Sequence, residues 1–125
     1  MRLLLDTHII LWALSEPAEL SGQAINLIKE AEQLYVSSAS IWEMAIKSRL
    51  GKLDIDMPLF MNELARQQVF ELSVTWQHAQ RIKQLEIHHR DPFDHMLIAQ
   101  AMTEPLILLT HDKILSRYSN LVMLV

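Results

Sequence analysis

The sequence predicts an α/β domain in which short parallel strands are joined by helical crossovers. Three observations support this. Short apolar runs alternate with longer amphipathic stretches, helix-start signals recur after those runs, and half of the 125 residues are hydrophobic, enough for one core. No repeat, linker or low-complexity tract divides the chain, so residues 1–125 are expected to form a single domain.

Leu3–Leu5 is the first buried strand, and Thr7–Leu14, with its apolar body, the first helix, ending at Ser15-Glu16-Pro17. Pro17 and Ser21-Gly22 bracket a loop. From Gln23 to Gln33, apolar residues fall at three- and four-residue spacings with Lys29, Glu30 and Glu32 outward, which predicts an amphipathic helix. Leu34–Ser37 reads as the second strand. Ser40 and Glu43 have capping-box spacing, so a helix is expected from Ser40 towards Arg49, ending before Gly51.

Leu53–Pro58 reads as a connector and Leu59–Gln68 as a helix with Phe60, Met61 and Leu64 inward. Val69–Val74 is a strand by its β-branched and aromatic content, followed by a helix over Trp76–Leu85. Asp91 is a natural N-cap, with Pro92 suited to the first turn and Asp94 at the third position, so a helix should run to Met102. Pro105–Leu109 is a strand, Asp112–Tyr118 a short helix and Leu121–Val125 the last strand.

Composition excludes several chemistries. Eleven Lys and Arg against fifteen Asp and Glu leave a net charge of −4, which argues against a sequence-independent coat for DNA. Without cysteine there is no disulfide, thiolate nucleophile or Cys-based metal site, and a reducing, cytoplasmic setting is expected. Two glycines cannot supply a dinucleotide-binding or P-loop motif. The opening leucines are too few for a signal-peptide core, and no apolar stretch is long enough for a membrane span, so a soluble protein with no membrane partner is expected.

Four acids share one structural address. Asp6 and Asp112 follow strands directly, while Glu43 and Asp94 are expected in first helical turns. In an open parallel sheet, strand carboxyl ends and the helix starts after them line the edge where ligands bind. Clustered carboxylates repel one another unless a cation neutralises them, and hard oxygen donors suit Mg²⁺ or Mn²⁺. That combination points to hydrolysis of a phosphodiester.

The same residues carry a family resemblance over nearly the whole chain. Leu3-Leu4-Leu5-Asp6-Thr7-His8, Val36–Glu43 with Ile46-Lys47, His89-Arg90-Asp91-Pro92-Phe93-Asp94 followed by Leu97–Ala101, and Leu109-Thr110-His111-Asp112 occur in that order. The ordered set resembles the PIN-domain endoribonucleases, and among them the VapC-type toxins of toxin–antitoxin pairs. The resemblance implies a three-layer α/β/α sandwich on a mostly parallel sheet and RNA cleavage dependent on Mg²⁺ or Mn²⁺. It also implies a homodimer, inhibition by a cognate antitoxin protein, and catalytic and metal-binding roles for Asp6, Glu43, Asp94 and Asp112. The sequence departs from the pattern at His95, where such relatives usually carry Arg, so a titratable group replaces a fixed charge.

Other residues have two readings. Thr7, Ser40 and Thr110 either orient carboxylates or cap backbone locally, and Asp91 is an N-cap before it is a metal contact. Lys47 is spaced to pair with Glu43, or, with Arg49 and Lys52, to receive RNA phosphates; Arg90 and His95 are further candidates for phosphate contact. His88 and His89 read as surface histidines, and Trp12, Trp42 and Trp76 as core or interface anchors. The first helix is apolar nearly all round, so a second subunit or an antitoxin segment is expected to cover it.

Two other functions remain open on the sequence. One is a phosphoryl-transfer domain with Asp6 as an aspartyl nucleophile. A haloacid-dehalogenase-like site would want a second Asp where His8 stands, and the acidic pair and late Lys of a receiver-like domain are not evident. The other is a non-catalytic interaction module whose acids are helix caps.

Overall fold

Five parallel strands form one sheet in the computed structural model, which describes residues 1–125. They are β1 (Arg2–Leu5), β2 (Gln33–Ser37), β3 (Phe70–Leu72), β4 (Ile107–Thr110) and β5 (Val122–Leu124), in spatial order β3-β2-β1-β4-β5. Six helices accompany them: α1 (Thr7–Ser15), α2 (Gly22–Glu30), α3 (Ser38–Arg49), α4 (Met57–Arg66), α5 (Trp76–Arg81) and α6 (Pro92–Thr103). The chain winds outward from β1 through β2 to β3, then returns to the other side of β1 as β4. The strand order therefore reverses at the β1/β4 boundary, where open α/β sheets leave a crevice at their carboxyl ends.

Strand alternation divides the core in two. Leu3 and Leu5 join Ile9 and Ile10 of α1, Met44 of α3, and Phe60 and Leu64 of α4 on one face. Leu4, pointing the other way, packs with Leu97, Ile98 and Ala101 of α6 and with Leu115. Because both faces are covered, β1 can be the unbroken run Leu-Leu-Leu, each residue at most 1% exposed. No helix is long and apolar enough to cross a membrane.

Local chemistry moves several expected boundaries. Ser37, not Ser40, caps α3 by accepting from Ala39 N at 3.0 Å, so Ser40 lies inside the helix and Glu43 in its second turn. The expected capping box does not form, because hydroxyls at 37, 38 and 40 compete and the strand ends directly into the helix. Gly51, at φ 73°, follows the helix in the left-handed region that glycine tolerates. Asp56 accepts from Leu59 N, with Pro58 in the first turn, so α4 starts two residues before the expected Leu59. The sequence Gly22–Glu30 is helical from its glycine because Ser21 accepts from Ala24 N. The stretch after Trp76 splits into α5 and a 3₁₀ turn over Ile82–Gln84, and the Lys113–Arg117 segment is likewise 3₁₀.

The inward assignment of Met61 fails, for it is exposed; Trp42 is 64% exposed and Trp76 94% exposed, which removes the core half of the core-or-interface reading for both. Within α1, Ile9 and Ile10 are buried while Leu11–Leu14 are half-buried, packed partly by the chain's own helices. Leu4→Ala should cost about 2–5 kcal/mol of unfolding free energy in urea, as a large-to-small change at the sheet centre. Trp76→Ala should stay within about 0.5 kcal/mol; equal losses would mean that the two-faced core is wrongly drawn.

Candidate functional site

Asp6 leaves β1 at the point where the strand order reverses. Its backbone N donates to Leu109 O at 3.0 Å, continuing the β1/β4 ladder by one step, and its side chain turns to cap α1 through Thr7 N at 2.7 Å. Across the same boundary Thr110, the last residue of β4, donates its hydroxyl to Asp6 Oδ2 at 2.6 Å. Asp6 is 4% exposed and Thr110 fully buried. Burial pushes the Asp6 carboxyl up from its ordinary value, against the lowering effect of Thr110, Thr7 and His8, and Glu43 adds repulsion.

Glu43 reaches the same place from α3. Thr7 Oγ1 lies 2.9 Å from Glu43 Oε1 and 2.9 Å from Ser40 Oγ. A carboxylate only accepts, so the Thr7 proton serves Glu43 and Ser40 supplies its own to Thr7. Lys47 Nζ meets Glu43 Oε2 at 2.8 Å. That hydrogen bond holds the Lys47 ammonium above its usual range, opposed by partial burial and reinforced by the charges of Glu43, Asp91 and Asp94. Lys47 is therefore a cation within electrostatic reach of three of the acids.

Asp94 completes the group from the first turn of α6. Asp91 caps that helix, its Oδ1 accepting from Phe93 N at 2.9 Å and Asp94 N at 3.1 Å, which leaves the Asp94 side chain free of capping. Asp94 Oδ2 instead meets His89 Nε2 at 3.0 Å. Its carboxyl is pushed up to about 7, first by burial, with His89 opposing and Asp6 and Asp91 repelling. Asp6, Glu43, Asp91 and Asp94 thus act on one another or on Lys47 at one edge of the sheet.

Asp112 is joined less directly. Its N donates to Thr110 Oγ1 at 3.1 Å, and its Oδ1 accepts from Ile114 N at 3.1 Å, capping the 3₁₀ turn. The hydroxyl of Thr110 so ties the Asp112 backbone to Asp6. Arg90 is exposed, and His95 directs Nε2 at 2.8 Å to the carbonyl of His89. His89, which sequence reasoning left on the surface, is a functional candidate it missed, together with Tyr118, whose Oη lies 2.7 Å from His89 Nδ1. Only the closeness of His89 to Asp94 in sequence could have signalled the first; nothing local signals Tyr118.

The donor set suits a hard divalent cation: carboxylate oxygens, half of them buried, with one lysine to offset them. The carboxylates do not form a closed cage, since no group of three or more acidic or histidine side chains is close enough to hold an ion by itself. An ion that keeps most of its waters and takes one or two carboxylates, as Mg²⁺ does, needs no such cage. Asp6 and Asp94, the pair with the strongest unrelieved burial of charge, are the residues that could hold it.

Burial of Asp94, with repulsion from Asp6 and Asp91 added, predicts a pH dependence. A carboxyl whose folded pKa is about 7, above its ordinary 3.8, favours the fold when protonated. That contribution is complete below pH ~4 and is lost as pH rises towards 7. In EDTA, Asp94→Asn should melt several degrees above the parent protein at pH 7.5, with the difference closing towards pH 5. A difference that is constant with pH would remove Asp94 from the buried acidic group.

Comparison with known proteins agrees with this architecture. A search of curated proteins finds no match. Among solved structures, the chain is similar to one in the crystal structure of VapBC2 from Rickettsia felis bound to a DNA fragment from their promoter, with a TM-score of 0.69. The two are 16% identical in sequence, and the match covers 99% of this chain and 97% of that one, so the likeness is one of fold. The PIN domain family model matches residues 3–121, a span that contains every acid gathered at the sheet edge. By that match, the chain belongs to the PIN domain family.

Proposed function

We propose that this protein is a metal-dependent endoribonuclease and the toxin of a toxin–antitoxin pair. The observation that carries the reading is that burial at the β1/β4 crevice disfavours the charges of Asp6 and Asp94, with Glu43 repelling Asp6 and Asp6 and Asp91 repelling Asp94. Asp6 caps α1 through Thr7 N, but Asp94 caps no helix, since Asp91 already caps α6, so capping alone gives no reason to hold the Asp94 carboxylate where burial disfavours its charge.

When bound, Mg²⁺ or Mn²⁺ would supply Lewis acidity and charge neutralisation at a phosphodiester. Asp6 and Asp94 would hold the ion, and Glu43 and Asp112 would flank it through hydrogen bonds to water. Thr110 and Thr7 keep Asp6 and Glu43 oriented as acceptors, which an ion or a water requires. Lys47, with its side chain 43% exposed, can stay on Glu43 and still present its ammonium to an RNA phosphate.

An aspartyl-phosphate mechanism is less well supported, because both oxygens of Asp6 accept hydrogen bonds and the residue is buried at the start of α1. The antitoxin assignment rests on likeness to the VapBC2 structure. Self-association would cover the groove of about 510 Å³ where exposed Trp42 and Val74 face Phe93 and Met96.

Purified protein should cut defined RNAs with Mg²⁺ or Mn²⁺ and stop in EDTA, and a folded Asp6→Asn protein should lose about a hundredfold or more in rate. Undiminished cleavage under either condition would refute the mechanism.

A further inference from the structure

The hydroxyl of Tyr118 sits at the centre of a small network beside the acidic edge. It accepts from His88 N at 2.8 Å and from His89 N at 3.1 Å, which uses both lone pairs of the oxygen. Its own proton then needs an acceptor. His95 Nε2 is 3.3 Å away, but that nitrogen is 2.8 Å from the carbonyl of His89, which can only accept, so it carries a hydrogen and cannot take another. The remaining acceptor is His89 Nδ1, at 2.7 Å. A neutral His89 that accepts at Nδ1 must carry its proton on Nε2, and Nε2 is the nitrogen that meets Asp94 Oδ2 at 3.0 Å.

We propose that Tyr118 and His89 are positioning residues for Asp94, in which the tyrosine hydroxyl fixes the Nε2-protonated form of the imidazole and the imidazole clamps Asp94 Oδ2. Oδ1 is then the oxygen available to a cation. The network joins three separate parts of the chain: the loop before α6, the first turn of α6 and the end of the 3₁₀ turn after β4. His89 stands three residues before the first residue of α6, so without this anchor its ring would have only a loop to orient it. Edge-on packing of Tyr118 against His88 and His89, with ring centroids 4.9 and 5.4 Å apart, holds the phenol in place. The consequence for metal binding rests on the nuclease reading; the tautomer and its dependence on Tyr118 do not.

The test is a long-range ¹H–¹⁵N correlation of the histidine rings in metal-free protein at pH 7, with His89 assigned through His89→Gln, followed by Mn²⁺ titration of the variants. His89 should carry its ring proton on Nε2 rather than Nδ1, and Tyr118→Phe should give a mixture of tautomers while leaving the melting transition cooperative. His89→Ala should weaken Mn²⁺ binding about ten- to a hundredfold. His89→Gln, whose amide can donate from a similar place, should recover most of that loss. A wild-type His89 protonated on Nδ1 or on both nitrogens, a tautomer unchanged in Tyr118→Phe, or a Gln variant no better than Ala would each overturn the proposal. If Mn²⁺ binds none of the proteins, the nuclease reading fails, and with it the positioning of a metal ligand, whatever the tautomer.

Discussion

The hydrogen bond from Thr110 to Asp6 spans the one seam of the sheet where the chain changes direction. Everything at the functional edge is arranged around that 2.6 Å contact. β1 and β4 are neighbours in space although more than a hundred residues apart in sequence, and their side-by-side register, Leu5 opposite Leu109, brings Asp6 and Thr110 together one step further on. The leucines of β1 are buried on both faces, so the strand cannot slip without moving polar residues into two apolar layers. Packing on the sheet faces thereby fixes a carboxylate at its end to within the tolerance of a hydrogen bond.

Charge at that edge is balanced unevenly. Glu43 has an ammonium and two hydroxyls in its neighbourhood, whereas Asp6 has a hydroxyl and a backbone N–H, and Asp94 has an imidazole. Hydrogen bonds from neutral donors lower a buried carboxyl's proton affinity but do not cancel its charge, and for Asp6 and Asp94 burial wins. Burial and repulsion thus favour protonation of these two acids, at a cost in stability that rises with pH. Asp91 and Asp112, like Asp6, accept from N–H groups at helix starts, whereas Asp94 caps no helix.

Much of this was legible in the residues. The triple leucine ending in Asp6, the Asp-Pro start of α6 and the strand ending in Thr110 are local signals, and each specifies its element by chemistry acting within a few residues. The capping box at Ser40 misled because four of the five residues from Ser37 to Ile41 are small and three bear hydroxyls, so spacing alone does not choose the cap; the end of β2 at Ser37, directly before the helix, does. For the tryptophans the sequence left core and interface open, for a related reason. Hydrophobicity gives the tendency to be covered but not the neighbour, and Trp42 sits on the outward side of α3, edge-on to Phe93 at 5.3 Å. Tyr118 was invisible because its partners lie 29 residues away and are joined to it only by the fold.

The proposed function requires that the β1/β4 crevice, and no other acidic part of this surface, take up a divalent cation. Residue-resolved line broadening by substoichiometric Mn²⁺ tests it directly, since paramagnetic relaxation marks the amides nearest the ion. The amides of Asp6, Thr7, Asp94 and His95 should broaden first and together, with Mg²⁺ in excess restoring them. Broadening centred on Asp54 and Asp56, or spread evenly over the exposed acids, would contradict the account.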